Sequence, residues 1–405
     1  MSQTIFISAG EASGEHYGAL LLSALKKHLE AQGRRAAFFG MGGTRMVDEG
    51  LERVVSSDDM AVMGLTEVIR HLPRIYGEFR KLKASIRARR PDIAVLIDFP
   101  DIHFTLAEEL KRLGVPVVFF VSPQLWAWKK KRIKLVKKYI DKMLVIFPFE
   151  EPFYRERCVE AEFVGHPLAD LPQPSISREE FAAKSNLDPT KTWIALLPGS
   201  RPREIRDNLP EILEAAWRLE AREQLDHMEF EYLVPMAPTL TGEQRAAALL
   251  LLENLGGGLH VRLVDDARAA LFHSRASVVA SGTATVEAAL IGNPFVVIYR
   301  VSTITYAIAR CVVTVPHVAM VNLIAGKRVV PELIQKDFTA VNIVKQIELL
   351  RPEGPRRQSM MEDLKRIRGL LTVRPGGRTQ NGAIGRVAAI TAEMLERLGA
   401  TPAQK

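Results

Sequence analysis

The sequence predicts an α/β protein of two units, each built on a parallel sheet. Three observations predict it. Short continuous apolar runs recur along the chain, the pattern of parallel strands covered on both faces. Glycine, proline and acidic clusters fall directly after those runs, at the carboxyl ends of strands, where open α/β sheets bind ligands. At 405 residues the chain also exceeds a comfortable single core.

Composition narrows the class. A hydrophobic content of 47% with 25% charged residues fits a soluble globular protein. Ile5-Phe6-Ile7 is preceded by neither a basic start nor a cleavage site, so no signal peptide is expected. No apolar run approaches the roughly 18 residues of a membrane span. Cys158 and Cys311 lack metal-ligand or redox spacing, so no metal, no cofactor and a reducing cytoplasm are expected. The net charge of +8 gathers in two runs. One is Arg80-Lys81-Leu82-Lys83 with Arg87, Arg89 and Arg90; the other is Lys129-Lys130-Lys131-Arg132 with Lys134, Lys137 and Lys138. Such runs suit a solvated helix face, nucleic acid or an anionic membrane surface. The second follows Trp126-Ala127-Trp128, and tryptophan beside lysine suits a lipid headgroup boundary.

The elements follow in order. Residues 4–8 form a strand that enters the turn Gly10-Glu11-Ala12-Ser13-Gly14, and a helix runs to about Ala31. Residues 36–40 are the next strand, ending at Gly42-Gly43. The glycine spacing is not GxGxxG and no acid closes the second strand, which disfavours a nicotinamide dinucleotide fold. Residues 58–76 are apolar, with Val68, Ile69 and Leu72 placed to dock lipid if the segment is not core helix. Residues 93–97 form a strand ending in Asp98-Phe99-Pro100-Asp101, two acids where α/β enzymes place reactive groups. Strands at 116–121, 143–147 and 161–164 end in Ser122-Pro123-Gln124, Pro148-Phe149-Glu150 and Gly165-His166-Pro167. Residues 171–190, rich in proline and serine, are expected to be a linker.

The second unit opens with the strand 193–197 and its terminal loop Pro198-Gly199-Ser200-Arg201. Strands at 230–235 and 258–264 follow, and then residues 277–300, the most informative stretch of the chain. Val278-Val279-Ala280 and Phe295-Val296-Val297-Ile298-Tyr299 are buried strands around a short helix. The turn Ser281-Gly282-Thr283-Ala284 has no large side chain, so it leaves helix amides bare for a phosphate. Glu287, one turn on, is in reach of a sugar hydroxyl. The competing expectation is that Ser281 and Thr283 are simple caps and Glu287 a first-turn acid.

Nine segments come in the order of a known family. They are residues 9–14, Ala61-Val62-Met63-Gly64, Asp98-Phe99-Pro100-Asp101, residues 122–128, Phe147-Pro148-Phe149-Glu150, Gly165-His166-Pro167, Leu197-Pro198-Gly199-Ser200-Arg201, Ser281-Gly282-Thr283-Ala284 and residues 322–326. Together they resemble the lipid-A-disaccharide synthases from residue 4 to about 340. The resemblance implies a GT-B fold of two Rossmann-like domains. Residues 1–170 would face acceptor and membrane, residues 191–372 would bind the UDP-sugar, and a helical tail at 373–405 would return to the first domain. It implies inverting, metal-independent glycosyl transfer from UDP-2,3-diacylglucosamine to 2,3-diacylglucosamine-1-phosphate. The place would be the inner face of the cytoplasmic membrane of a Gram-negative bacterium, with no nucleic acid bound and a homodimer left open.

Such transfer needs a base for the acceptor 6-hydroxyl. The resemblance implies Asp98, with Asp101 a positional alternative. The UDP leaving group needs charge or oriented amides, which Arg201, Ser200 and the 281–284 turn would supply. Glu287 would hold the ribose, and Asn322, Glu332 and Gln335 would lie near the donor. Gly10, Glu11, Ser13 and Gly14 would border the acceptor or the diphosphate. Trp126, Trp128, Lys129, Lys130 and Lys131 would meet the membrane. His16 and His166 are expected to be structural. Two departures stand out: Glu15 where aspartate is commoner, and Arg203 two positions after Arg201. The competing functions are another UDP-N-acetylglucosamine-dependent enzyme (a muramyl-lipid glycosyltransferase or a 2-epimerase) and a basic RNA- or membrane-binding module without catalysis.

Overall fold

The computed structural model describes residues 2–60, 65–223, 229–237, 240–313, 315–372 and 382–400. They fall into two units, one of Met1–Asp170 with Leu371–Lys405, the other of Leu171–Leu370.

The first unit holds seven parallel strands: β1 (Ser2–Ala9), β2 (Arg35–Gly42), β3 (Leu51–Ser56), β4 (Ile93–Ile97), β5 (Val117–Phe120), β6 (Lys142–Val145) and β7 (Ala161–Phe163). Their order is β3-β2-β1-β4-β5-β6-β7. The chain winds outward in both directions from β1, so the switch point lies between β1 and β4, paired through Ser8↔Leu96 and Ala9↔Ile97. Ile93 to Ile97 are all fully buried because helices cover both faces. One covering helix is Ala12–Ala31 and another is the C-terminal Gly382–Ala400. Val387, Ala388, Ala392 and Leu395 join Leu21, Leu22 and Leu25 in one core. Asp170 accepts from the Ala383 amide at 2.6 Å and caps that last helix. The tail thus returns to the first unit. Its partner, the Ala12–Ala31 helix, was not legible in the sequence.

On the opposite face lies the helix Leu65–Arg89, whose Leu82 and Ile86 are fully buried. The side chains of Val68, Ile69 and Leu72 lie outside the described residues. Much of the first basic run is tied down on this helix. Arg87 Nε lies 2.7 Å from Glu109 and Lys83 Nζ 3.7 Å, while Arg89 pairs with Glu52.

The second unit holds β8 (Thr192–Leu197), β9 (Phe230–Pro235), β10 (Val261–Val264), β11 (Ala276–Ala280), β12 (Phe295–Tyr299) and β13 (Glu332–Ile334). All are parallel, in the order β10-β9-β8-β11-β12-β13. Its switch point lies between β8 and β11. The expected linker needs correction. Residues Arg178–Ser185 form a helix opened by a capping box between Ser177 and Glu180. Phe181 of that helix is 2% exposed and packs edge-on to Trp193. Its apolar face is only Phe181-Ala182, too short to show periodicity.

Among the described residues no helix is long and apolar enough to cross a membrane.

Candidate active site

Each unit collects its polar, chemistry-bearing residues at its own switch point. In the first unit β1 runs into Gly10 and Glu11, and Glu11 takes the N-cap position of the Ala12–Ala31 helix without capping it through its side chain. A Cβ on Gly10 would collide with the Phe99 ring, so the close approach of the two strand-end loops requires glycine there. Ser13 is half-buried, and Gly14 packs on the backbone of Ile97. Glu15 turns away from the loop. Its Oε1 accepts from the Arg45 amide at 3.1 Å and closes the second glycine turn.

Asp98 follows β4, and both it (φ 52°) and Phe99 (φ 51°) are left-handed. Two successive non-glycine residues in that region are strained and mark a site whose geometry is imposed by its surroundings. Burial, then the like charge of Glu11, push the Asp98 carboxyl up to about 6, against a hydrogen bond from the Phe99 amide. That is a fit value for a general base near neutral pH. Asp101 lies at the surface. Its side chain is 67% exposed, with Oδ1 2.5 Å from Arg132 Nη2 and 3.8 Å from Lys129 Nζ.

His103 escaped the sequence analysis. It is fully buried, with Nδ1 2.6 Å from the Asp98 carbonyl oxygen and Nε2 2.8 Å from Ser8 Oγ. Burial lowers its pKa to about 4, so the ring is neutral. It lies in the first turn of the helix Pro100–Arg112, on the face that Phe104, Leu106, Ala107 and Leu110 bury, and no motif marks it. His166 is also buried and neutral; its Nδ1 accepts from the Leu168 amide. Burial, with Arg45 beside it, lowers the pKa of His16.

The membrane assignments divide. Trp126 is a correction: it is 8% exposed, and its indole N–H donates to Glu150 Oε1 at 3.0 Å. Its ring packs edge-on to Phe149, so it pins the loop from inside. Burial raises the Glu150 carboxyl to about 7 although the Phe147 amide and Trp126 both donate to it. Trp128 is exposed, with the Lys129 ammonium 4.1 Å from its ring centroid, and Lys129, Lys130 and Lys131 are exposed.

In the second unit, the loop after β8 holds Ser200 and Arg201. Glu204, one turn into the Pro202–Glu223 helix, accepts from the amides of Ser200 (3.0 Å) and Arg201 (3.3 Å). Those amides are therefore capped from within, whereas the Arg201 side chain is exposed, with Nη1 3.6 Å from Glu204. The turn after β11 is different. Gly282 (φ 153°) is the N-cap of the Thr283–Ile291 helix and supplies no capping side chain; Ser281 and Thr283 do not cap it either. Thr283 is exposed, Ser281 and Ala284 half-buried. The helix opens at the switch point with its positive end presented. Glu287 sits one turn on. Burial raises its carboxyl, opposed by the Arg268 guanidinium 3.6 Å away, itself bonded to the Pro172 carbonyl.

Asn322, Glu332 and Gln335, expected near the donor, each bond to the backbone around them. Asn322 is fully buried; Oδ1 accepts from the amides of Val329 and Val330, and Nδ2 donates to the Val330 carbonyl and Glu332. Glu332 accepts from the Val318 and Ala319 amides. Gln335 exchanges two hydrogen bonds with the Val301 backbone, both 2.9 Å. These bonds hold the segments around β13 in place. Among the described residues no cluster of His, Cys, Asp or Glu is arranged to hold a metal ion.

Two parallel sheets of this order, with the last helix returning to the first unit, define the GT-B class of glycosyltransferases and sugar-nucleotide epimerases. A calicheamicin glycosyltransferase shares the fold at a TM-score of 0.57, with 17% identity over 98% of this chain and 99% of the other. So does a UDP-GlcNAc 2-epimerase from Neisseria meningitidis, at 0.59, with 13% identity over 98% and 100%. Sequence comparison is more specific. The family model described as lipid-A-disaccharide synthetase matches residues 5–374. The lipid-A-disaccharide synthase of Acidobacterium capsulatum is 58% identical over 98% of this chain and 97% of its own. That of Koribacter versatilis is 48% identical over 97% and 99%. The chain belongs to the lipid-A-disaccharide synthetase family and is a glycosyltransferase.

Proposed function

We propose that the protein transfers 2,3-diacylglucosamine from its UDP conjugate to 2,3-diacylglucosamine-1-phosphate, forming a β-1,6 linkage and releasing UDP. One observation carries this proposal. A half-buried carboxylate with a raised pKa stands at one switch point, and an open helix N-terminus with an exposed arginine stands at the other. Asp98 takes the proton of the acceptor 6-hydroxyl as that oxygen attacks the anomeric carbon. The bond to the UDP oxygen breaks on the opposite face, and the electron pair leaves with the diphosphate. Arg201 and the amides that begin the Thr283–Ile291 helix stabilise the developing charge. Glu287, steadied by Arg268, takes the ribose hydroxyls. Asp101 stands outside the chemistry. It holds Arg132 and Lys129, and with them the exposed Trp128 segment.

Both substrates are acylated, and the protein meets them at an anionic membrane surface. Exposed Trp128 beside exposed Lys129, Lys130 and Lys131 suits that boundary, the indole at headgroup level and the ammonium groups on phosphates.

Purified protein in detergent micelles is offered UDP-2,3-diacylglucosamine and UDP-N-acetylglucosamine together, with the monosaccharide-1-phosphate acceptor. Consumption of the acylated donor alone, with one disaccharide formed per UDP, is expected. Consumption of UDP-N-acetylglucosamine with the acylated donor ignored would transfer the protein to another branch of the fold.

A further inference from the structure

We propose that His103 is a positioning residue for the transfer, holding Asp98 and Phe99 in their left-handed conformations through the Asp98 carbonyl group. This rests on Asp98 being the base. A carbonyl oxygen only accepts, so Nδ1, 2.6 Å from it, carries the ring proton. Nε2 is then the acceptor and the Ser8 hydroxyl, 2.8 Å away, donates to it. Ser8 is fully buried on β1, beside β4 in the sheet, so a neighbouring strand holds the far side of the ring in place.

The imidazole is more than filler. The His103 amide already bonds to the Phe99 carbonyl at 3.2 Å, so the start of the helix does not depend on the ring. Phe99 meets the imidazole edge-on at 5.8 Å between centroids, and Phe119 does so at 6.1 Å. In such surroundings a leucine fills the space with no polar group to desolvate. What histidine adds is one N–H aimed at the backbone of Asp98, where φ is 52° and the next φ is 51°. Conformations of this kind persist only where neighbours over-determine them. The Phe99 ring on Gly10 closes the same lock from the other side. The charged group facing Asp98 is Glu11, from the turn after β1. Ser8, Phe99 and Phe119, which face His103, do not titrate near neutral pH.

The test compares His103→Leu with His103→Asn, whose side-chain amide nitrogen reaches the place of Nδ1. His103→Leu is expected to lower kcat about 100-fold, the scale of an ångström of misplacement, with KM for both substrates within about threefold. His103→Asn is expected to recover most of that loss. A leucine variant with kcat within threefold of the parent would overturn the proposal. So would an asparagine variant as slow as leucine while both melt at the parent temperature. Should leucine fail to fold, Ser8→Ala removes only the hydroxyl that anchors the ring through Nε2. It is expected to lower kcat about tenfold at unchanged KM, and an unchanged kcat would count against the lock. A parent enzyme that makes no disaccharide at all would instead refute the proposed reaction, a separate failure.

Discussion

Asp101 Oδ1 lies 2.5 Å from Arg132 Nη2, and this ion pair separates it from Asp98, the other acid that follows β4. One acid faces outward and anchors a basic segment. The other, Asp98, is withdrawn into a strained turn beside Glu11, where burial keeps its carboxyl basic enough to take a proton.

Asp98→Asn is therefore expected to lower kcat by about 10²–10⁴-fold, the contribution of a positioned general base, while UDP affinity stays within a few fold. Asp101→Asn is expected to keep kcat within about fivefold, since a surface ion pair contributes at most about 1 kcal/mol. Single-turnover rates with UDP titrations alongside check both. Reversed outcomes would move the base to Asp101.

The pH dependence carries a sign. Asp98 acts as base only when ionised, and its pKa is raised to about 6, so kcat/KM is expected to rise with pH through about 6 and level off above it. Glu11 contributes to that elevation by like charge. Glu11→Gln is expected to move the acid limb to lower pH, and a limb moving upward would contradict the electrostatic origin.

Trp126 and Trp128 are expected to separate in a vesicle-binding assay. Trp128→Ala, or neutralising Lys129, Lys130 and Lys131 together, weakens binding to anionic vesicles, at about 1 kcal/mol per charge. Trp126→Phe leaves binding unchanged and lowers stability by roughly 1–3 kcal/mol, because it strips a donor from buried Glu150. Glu150 adds a pH effect. Its folded pKa of about 7 lies above the unfolded value, so its contribution to stability falls as pH rises from about 4 to about 7. Thermal melts across that range measure it.

On the donor side, Arg201→Ala is expected to weaken UDP binding by roughly 1.5–3 kcal/mol, the range for hydrogen bonds to charged groups. Asn322→Ala is expected to act through stability, since its side chain satisfies the Val329 and Val330 amides. Calorimetric UDP titrations and melting curves on the two variants separate these effects.

Much of the fold is legible in the sequence because parallel strands announce themselves. Ile93–Ile97 and Phe295–Tyr299 are unbroken apolar runs, and their carboxyl ends carry the site. The strands that sequence reasoning misses lie at sheet edges. Leu51–Ser56 carries two successive exposed charges, Glu52 and Arg53, which break the apolar run, and Glu332–Ile334 is three residues long. Local motifs locate the loops but do not say which side chains face outward. Trp126 and Trp128 are two residues apart, and only the distant Glu150 decides that the first is buried. Asn322 is placed near the donor by the resemblance alone, and no local pattern reports that it also holds backbone amides seven and eight residues on. His103 stays invisible because one partner is a carbonyl group and the other, Ser8, lies on a distant strand, and no local pattern reports either.

The most direct measurement is product analysis after incubation of the purified protein with UDP-2,3-diacylglucosamine and 2,3-diacylglucosamine-1-phosphate in micelles containing EDTA. A β-1,6-linked disaccharide-1-phosphate and UDP in equal amounts, at an undiminished rate, is the predicted result: Arg201 and the helix amides suffice for the leaving group. UDP release without disaccharide, or a rate restored only by a divalent cation, would contradict it.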